Sequence, residues 1–314
     1  MSENSIKTDR FKIICGIFWL IASLIISSLN DVITKKYTLC FNLEQIVFTR
    51  FVFGSLSIIP IIIFNSFYNY KFYSQNIEND SILKKIKSSF KTNYIKQHLI
   101  RGLLLSISMY FWVNGISKIP LATVTAISFT IPIFLVVLAI IFLKEKANIK
   151  IIINIIVGFI GIIIAINPSS FLDTLIIIRF IISAILFAYL DIINKILINK
   201  GEKTIIMLFY SNFFAGLFFI IPALNNWKIF NLNDLPYFII LGFGSNIILY
   251  CILKAYSLAS LTILAPLRYL ELIISTIFGY FLFDEKVTIN LIFGSIIIVI
   301  STINTIKKQI ISNI

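Results

Sequence analysis

Residues 187–197 read "FAYLDIINKIL" and set Asp191 and Lys195, opposite charges four positions apart, inside an otherwise apolar run. On a helix that spacing stacks both side chains on one face. An earlier stretch, "SSLNDVITKKY" at 27–37, repeats the arrangement with Asp31 and Lys35. The chain around both is too greasy for a soluble domain. Hydrophobic residues make up 59% of the 314 and charged residues 13%, against roughly a half and a quarter in soluble proteins.

A hydrocarbon core of about 30 Å needs about 20 apolar residues at about 1.5 Å rise each. Runs of that kind fall at approximately 12–36, 44–64, 98–117, 121–143, 149–166, 173–198, 203–223, 235–257, 262–283 and 287–306. The expected fold is therefore an all-α integral membrane protein of ten transmembrane helices, with no soluble domain left over. Its net charge of +13 reads as topology rather than as nucleic-acid binding. With a cytoplasmic N-terminus, the inner connections hold sixteen lysines and arginines, from Lys7 and Arg10 through Lys84, Lys144 and Lys200 to Lys308. The outer ones hold only Lys36, Lys118, Lys228 and Lys286. Both termini are expected in the cytoplasm, and the basic start is expected to stay as helix one rather than be cleaved.

The charge pairs also expose an internal duplication. An offset of 160 lays "NDVITK" (30–35) on "LDIINK" (190–195); an offset of 140 then lays Gly102 on Gly242, Leu121 on Leu261, and "KEK" (144–146) on "DEK" (284–286). The lost 20 residues are absorbed by the lysine-rich connection at 65–97, which is longer than its counterpart near 224–234. Residues 1–166 thus form one expected five-helix repeat, with the basic insertion at 65–97, and 167–314 the second. An odd number of spans inverts the second copy, the plan of many secondary carriers. The 65–97 connection is either a partner-binding element or a short surface helix at the headgroups.

Ionisable groups at membrane depth cost about 2.5–3.5 kcal/mol each when exposed to lipid, so they face a bundle interior or a water-filled path. Ser23, Ser27, Asn30, Asp31 and Thr34 form one such stripe in helix one; Arg179, Ser183, Asp191 and Asn194 form another in helix six. Lysine outnumbers arginine 22 to 5, yet Arg50, Arg101, Arg179 and Arg268 all lie in or at the edge of spans. A guanidinium offers a planar fork for carboxylate or phosphate that an ammonium lacks. Arg268 and Glu271 sit at i, i+3. Each of these pairs is read either as self-neutralising or as part of a site. Tyr110, Trp112, Phe129, Tyr189 and Tyr269 are the aromatics expected near these charges, able to stack on a ring or face a cation. Pro132 and Pro266 are expected to kink their spans.

Other chemistries find little support. Cys15, Cys40 and Cys251 match no metal or redox spacing. His98, the one histidine, has no nucleophile motif beside it, and no phosphate-cradling glycine loop is present. An enzyme, a metal and a cofactor are therefore not expected.

The motifs "FTRFVFG" (48–54), "IRG" (100–102), "ATVTAISFTIP" (122–132) and "FLKEK" (142–146) resemble the ten-helix EamA-type carriers of the drug/metabolite transporter superfamily. "LDIINK" (190–195) with "APLRYLELIIS" (265–275) is similar to the S-adenosylmethionine uptake carriers of obligate intracellular bacteria. The resemblance implies import of S-adenosylmethionine across the inner membrane by alternating access, with S-adenosylhomocysteine as an exchange substrate. It carries site roles to Arg50, Arg101, Asp191, Lys195, Arg268, Tyr269 and Glu271. To these the residue reading adds Trp112, with Asn30, Asp31, Tyr110, Phe129, Arg179 and Tyr189 as secondary candidates. The expected cavity is lined by helices one, two, three, four, six and nine, its partners being a small molecule and the lipid bilayer. Carriers of amino acids, drugs or other nucleotide-like metabolites share the inventory, and a non-transporting scaffold or receptor is the alternative of another class.

Overall fold

A computed structural model describes residues 3–73, 82–119, 130–145, 149–166, 174–225, 227–284 and 286–312. The architecture is all helical among the described residues. In order come α1 (Glu3–Tyr37), α2 (Leu43–Tyr73), α3 (Ile82–Ser89), α4 (Ile95–Ile116), α5 (Ile131–Leu143), α6 (Ile149–Ile166), α7 (Thr174–Asn199), α8 (Thr204–Asn225) and α9 (Leu235–Leu258). The short α10 (Leu261–Leu264), a 3₁₀ turn at Ala265–Tyr269, α11 (Leu270–Phe283) and α12 (Ile289–Ser312) complete the chain.

Among the described residues, seven helical stretches are long and apolar enough to cross a membrane, and the shorter apolar helices Ile131–Leu143, Ile149–Gly161 and Ile289–Ser301 accompany them. Helices are what such sequences must form, since lipid offers no partner for backbone N–H and C=O groups. The polarity is turned inside out. Phe11, Phe64, Ile141, Ile221 and Phe281 are exposed, whereas Asp31, Arg50, Arg101, Asp191, Asn194, Asn212 and Asn246 are buried. The chain is a multi-pass membrane protein.

Helix α1 packs on α9 and α11, α2 on α8 and α9, α4 on α7 and α8, α5 on α7, and α6 on α12. Two of these seams rest on glycine. A Cβ at Gly242 of α9 would stand 2.5 Å from the Gly54 nitrogen of α2, and one at Gly102 of α4 would stand 2.4 Å from the Phe214 Cβ of α8. Small residues let membrane helices approach backbone to backbone. Across α2, α8 and α9, Asn212 Nδ2 donates to Asn246 Oδ1 at 2.8 Å, and Asn246 Nδ2 donates to the Gly54 carbonyl at 2.7 Å and to Ser57 Oγ at 2.8 Å.

The proline expectations change in detail. Pro132 stands in the first turn of α5, where its missing N–H has no intrahelical partner to lose. Pro266 opens the 3₁₀ turn that divides the expected ninth span. Helix α5 is capped by Lys144 and α11 by Asp284, the two non-glycine residues with left-handed backbones among the described residues, φ 54° and 52°. Where α9 turns into α10, Glu145 accepts the Leu261 N–H at 3.1 Å and the Thr262 N–H at 3.0 Å. Lys195 donates to the Tyr256 carbonyl and, at 3.0 Å, to that of Ala259. Helix ends leave such groups unpaired, and here two charged side chains hold both ends of one turn. Within the 65–97 connection, α3 lies against α2, with Ser66 Oγ and Ser89 Oγ 2.8 Å apart.

Candidate functional site

A cavity of about 180 Å³ lies among the helices. Its charged lining comes from five elements: Asp31 on α1, Arg50 on α2, Arg101 on α4, Asp191 on α7, and Arg268 with Glu271 at the broken ninth span. That makes three guanidinium groups and three carboxylates. Trp112, Phe187 and Met109 supply apolar wall. Helices α8 and α9, absent from the expected lining, contribute Ser211, Asn212 and Ser245.

One of the possible pairs is closed. Arg268 Nη2 meets Asp191 Oδ2 at 2.6 Å, and the same nitrogen donates to the Tyr256 hydroxyl. This corrects the self-neutralising reading of Asp191 with Lys195, while Arg268 still interacts through space with Glu271. Asp191 turns to the guanidinium rather than to Lys195, which is taken up by the two carbonyls at the end of α9. The 3₁₀ winding of 265–269 carries Arg268 toward α7 and α9. In the first stripe Asp31 Oδ1 accepts from Trp112 Nε1 at 3.1 Å, while Lys35 Nζ lies 4.8 Å from the centre of the Phe283 ring.

The other two arginines are held at one side of the fork and open at the other. Arg50 Nε donates to Ser245 Oγ at 2.5 Å. Arg101 Nε donates to Asn194 Oδ1 at 2.8 Å, and its Nη1 donates to His98 Nδ1 at 2.9 Å and to the Met207 carbonyl at 3.3 Å. His98 Nε2 in turn lies 3.6 Å from Glu202 Oε1. The histidine without a catalytic neighbour is thus a brace for Arg101. Arg50 Nη1, Arg101 Nη2 and Ser211 Oγ are buried with no hydrogen-bond partner among the described residues. Buried polar groups are ordinarily paired, and leaving one unpaired costs about 1–3 kcal/mol, more for a charge. Three such groups on residues that line one cavity mark a place for a polar ligand.

The remaining candidates lie away from the lining. Tyr269 is fully buried against α6, where its hydroxyl donates to the Ile155 carbonyl at 3.3 Å and its ring meets Gly158. Asn30 donates to the Leu241 carbonyl at 3.3 Å and ties α1 to α9. Tyr110 packs on Phe219 and Tyr189 on Phe142. Arg179 is half-buried on α7. Phe129 falls outside the described residues. Sequence reading missed Tyr256, Ser211, Asn212 and Ser245, single neutral polar residues whose role depends on which neighbour they meet. Only the interruption of apolar runs at 211–212 and 245–246 signals Ser211, Asn212 and Ser245, and it does not reach Tyr256.

A bundle of apolar-skinned helices that turns its arginines and carboxylates onto a small internal cavity is the construction of a membrane carrier. The EamA-like transporter family matches residues 14–167 and 174–306, and the chain belongs to it. It is 36% identical over 294 residues to the S-adenosylmethionine uptake transporter of Rickettsia bellii, covering 94% of each chain. To that of Rickettsia conorii it is 34% identical, covering 94% of this chain and 93% of the relative. A crystal structure with 12% identity superposes over 96% of each chain at a TM-score of 0.61, a likeness of fold alone. Family membership sets the chain among transporters rather than enzymes.

Proposed function

We propose that this protein is a secondary carrier that imports S-adenosylmethionine across the bacterial inner membrane by alternating access, with S-adenosylhomocysteine as an exchange substrate. The observation that carries the reading is its near-full-length similarity to the Rickettsia S-adenosylmethionine uptake transporters. The cavity chemistry is compatible: Arg50, Arg101, Trp112, Asp191, Arg268 and Glu271 face the substrate, and Asp31 joins them through Trp112. Lys195 and Tyr269 serve packing rather than contact.

Alternating access suits the cavity's size. At about 180 Å³ it is smaller than the roughly 300–1,000 Å³ of ordinary small-molecule pockets. A metabolite of this size enters only when helices part.

The ten-helix reading, with repeats at 1–166 and 167–314, draws support from the packing. Helix α1 on α9 corresponds to α7 on α4, α2 on α9 to α8 on α4, and α1 on α11 to α7 on α5. The left-handed caps Lys144 and Asp284 are 140 residues apart, as are Gly102 and Gly242; their contacts Phe214 and Gly54 are 160 apart. Those are the two offsets of the sequence duplication. The lysine asymmetry of the connections supports a reading with both termini in the cytoplasm.

The test is uptake of radiolabelled S-adenosylmethionine by bacterial cells expressing the chain, beside cells expressing equal membrane amounts of Arg268→Ala. Saturable uptake, lost in the variant and accelerated by preloaded S-adenosylhomocysteine, is expected. Absence of uptake at normal membrane levels removes the substrate assignment.

A further inference from the structure

Six ionisable groups line the cavity, three of each sign, and the Arg268–Asp191 contact removes one of each from play. Arg50 and Arg101 remain, each with a terminal guanidinium nitrogen that has no partner among the described residues. Both side chains are at least nine-tenths buried, 8% and 0% exposed. Each is also anchored through Nε, Arg50 to Ser245 and Arg101 to Asn194. The anchoring fixes the plane of each fork, and both residues line the cavity. Asn194 also reaches the Asp191 carboxylate, and Ser211 Oγ adds a further donor without a partner among the described residues. Asp31 and Glu271 are the acids outside that contact: Asp31 accepts from Trp112 and interacts through space with Arg50, and Glu271 lies near Ser27, Arg268 and Asp31.

We infer that Arg50 and Arg101 hold the substrate's α-carboxylate, and that Asp31 and Glu271 hold its positive centres. The inference rests on the S-adenosylmethionine reading and deepens it. A guanidinium with a free nitrogen takes a carboxylate as a charge-assisted bond; one already engaged by Asp191 and Tyr256 has less to give. Arg268 is therefore a structural cation of the wall and not the carboxylate ligand. A ligand with one carboxylate and two cations, ammonium and sulfonium, answers the two arginines and two acids of the lining that no ion pair joins by direct contact. The specificity consequence is that the carrier selects for a free carboxylate, and that Glu271 contributes to telling a sulfonium from a neutral thioether.

Binding of S-adenosylmethionine, its decarboxylated form and S-adenosylhomocysteine to the detergent-purified full chain, read by calorimetry, tests this. Wild type is expected to favour S-adenosylmethionine over the decarboxylated form by about 30-fold, the scale of one good arginine–carboxylate contact. Arg50→Gln or Arg101→Gln brings that ratio below about threefold, with Arg50→Lys intermediate, whereas Arg268→Gln weakens both ligands together and keeps the ratio. Glu271→Gln weakens S-adenosylmethionine about tenfold and S-adenosylhomocysteine by less than about threefold. Ratios within one variant are insensitive to a partly misfolded sample. Equal binding of the acid and its decarboxylated form by wild type overturns the inference, as does a ratio retained in both Arg50→Gln and Arg101→Gln. If wild type ignores all three adenosyl compounds, the substrate reading falls separately, and methionine is compared with its decarboxylated amine. Preference for the acid there, lost in Arg50→Gln, still supports the arginine assignment, and no preference overturns it.

Discussion

Asp191 reaches across the bundle to Arg268 at 2.6 Å rather than along its own helix to Lys195 one turn away. The choice is physical. A lysine near the end of its helix can satisfy carbonyls of a neighbouring helix end, whereas a buried carboxylate gains more from a planar fork that Tyr256 also orients. Breaking one partner of a buried pair strands the other charge and costs about 3–5 kcal/mol. Arg268→Gln and Asp191→Asn are therefore each expected to lower the melting temperature in detergent sharply, and the double variant to recover much of the loss. Additive losses would show that the two residues act independently.

The glycine seams give a second expectation. Gly242→Ala forces a methyl against the α2 backbone, where nothing yields by side-chain rotation, and a loss of about 1–3 kcal/mol is expected. Gly216→Ala, whose nearest neighbour would stand 3.4 Å away in ordinary contact, is the control and should melt near wild type. Chemical or thermal denaturation of the purified variants distinguishes them.

The asparagine chain from Asn212 through Asn246 to Gly54 ties three helices at their buried faces. Interhelical hydrogen bonds in membranes average about 0.6 kcal/mol, up to about 2. Asn246→Leu removes three of them and leaves Asn212 Nδ2 with the Leu208 carbonyl alone. A loss of about 2 kcal/mol in unfolding experiments is the expected outcome.

Trp112→Phe keeps an aromatic ring against Phe180 and Phe187 while deleting the donor to Asp31. Folding should change little, and ligand affinity should fall by about three- to tenfold as Asp31 loses its fixed orientation. Trp112→Leu, which also removes the ring, should fall further. Equal affinities for wild type and Trp112→Phe would remove the orienting role.

How much of this was legible beforehand differs by level. The apolar runs and the misplaced charges made the membrane fold readable, because exposing Asp31 or Arg50 to lipid is costly enough to constrain any sequence. The same cost identified Arg50, Arg101, Asp191, Arg268 and Glu271 as residues facing inward. Partnership was not legible: helix periodicity puts Asp191 and Lys195 on one face but says nothing of what stands opposite. Tyr269 illustrates the limit, since it follows Arg268 in sequence yet the turn at 265–269 sends it to the opposite side, against Gly158. Ser211 and Ser245 were marked only by a break in the apolar run, because a serine in such a run reads equally well as packing.

The turn between α9 and α10 carries a consequence for motion. Glu145 grips its two N–H groups and Lys195 its two carbonyls, so four hydrogen bonds converge on a few residues of backbone. Any rearrangement that swings this corner away from α5 and α7 must release them as a set, because carboxylate and ammonium both bind the same short loop. The corner therefore behaves as a latch with two positions rather than as a pliable joint, and its rate of release sets an upper bound on how fast that end of the molecule can breathe.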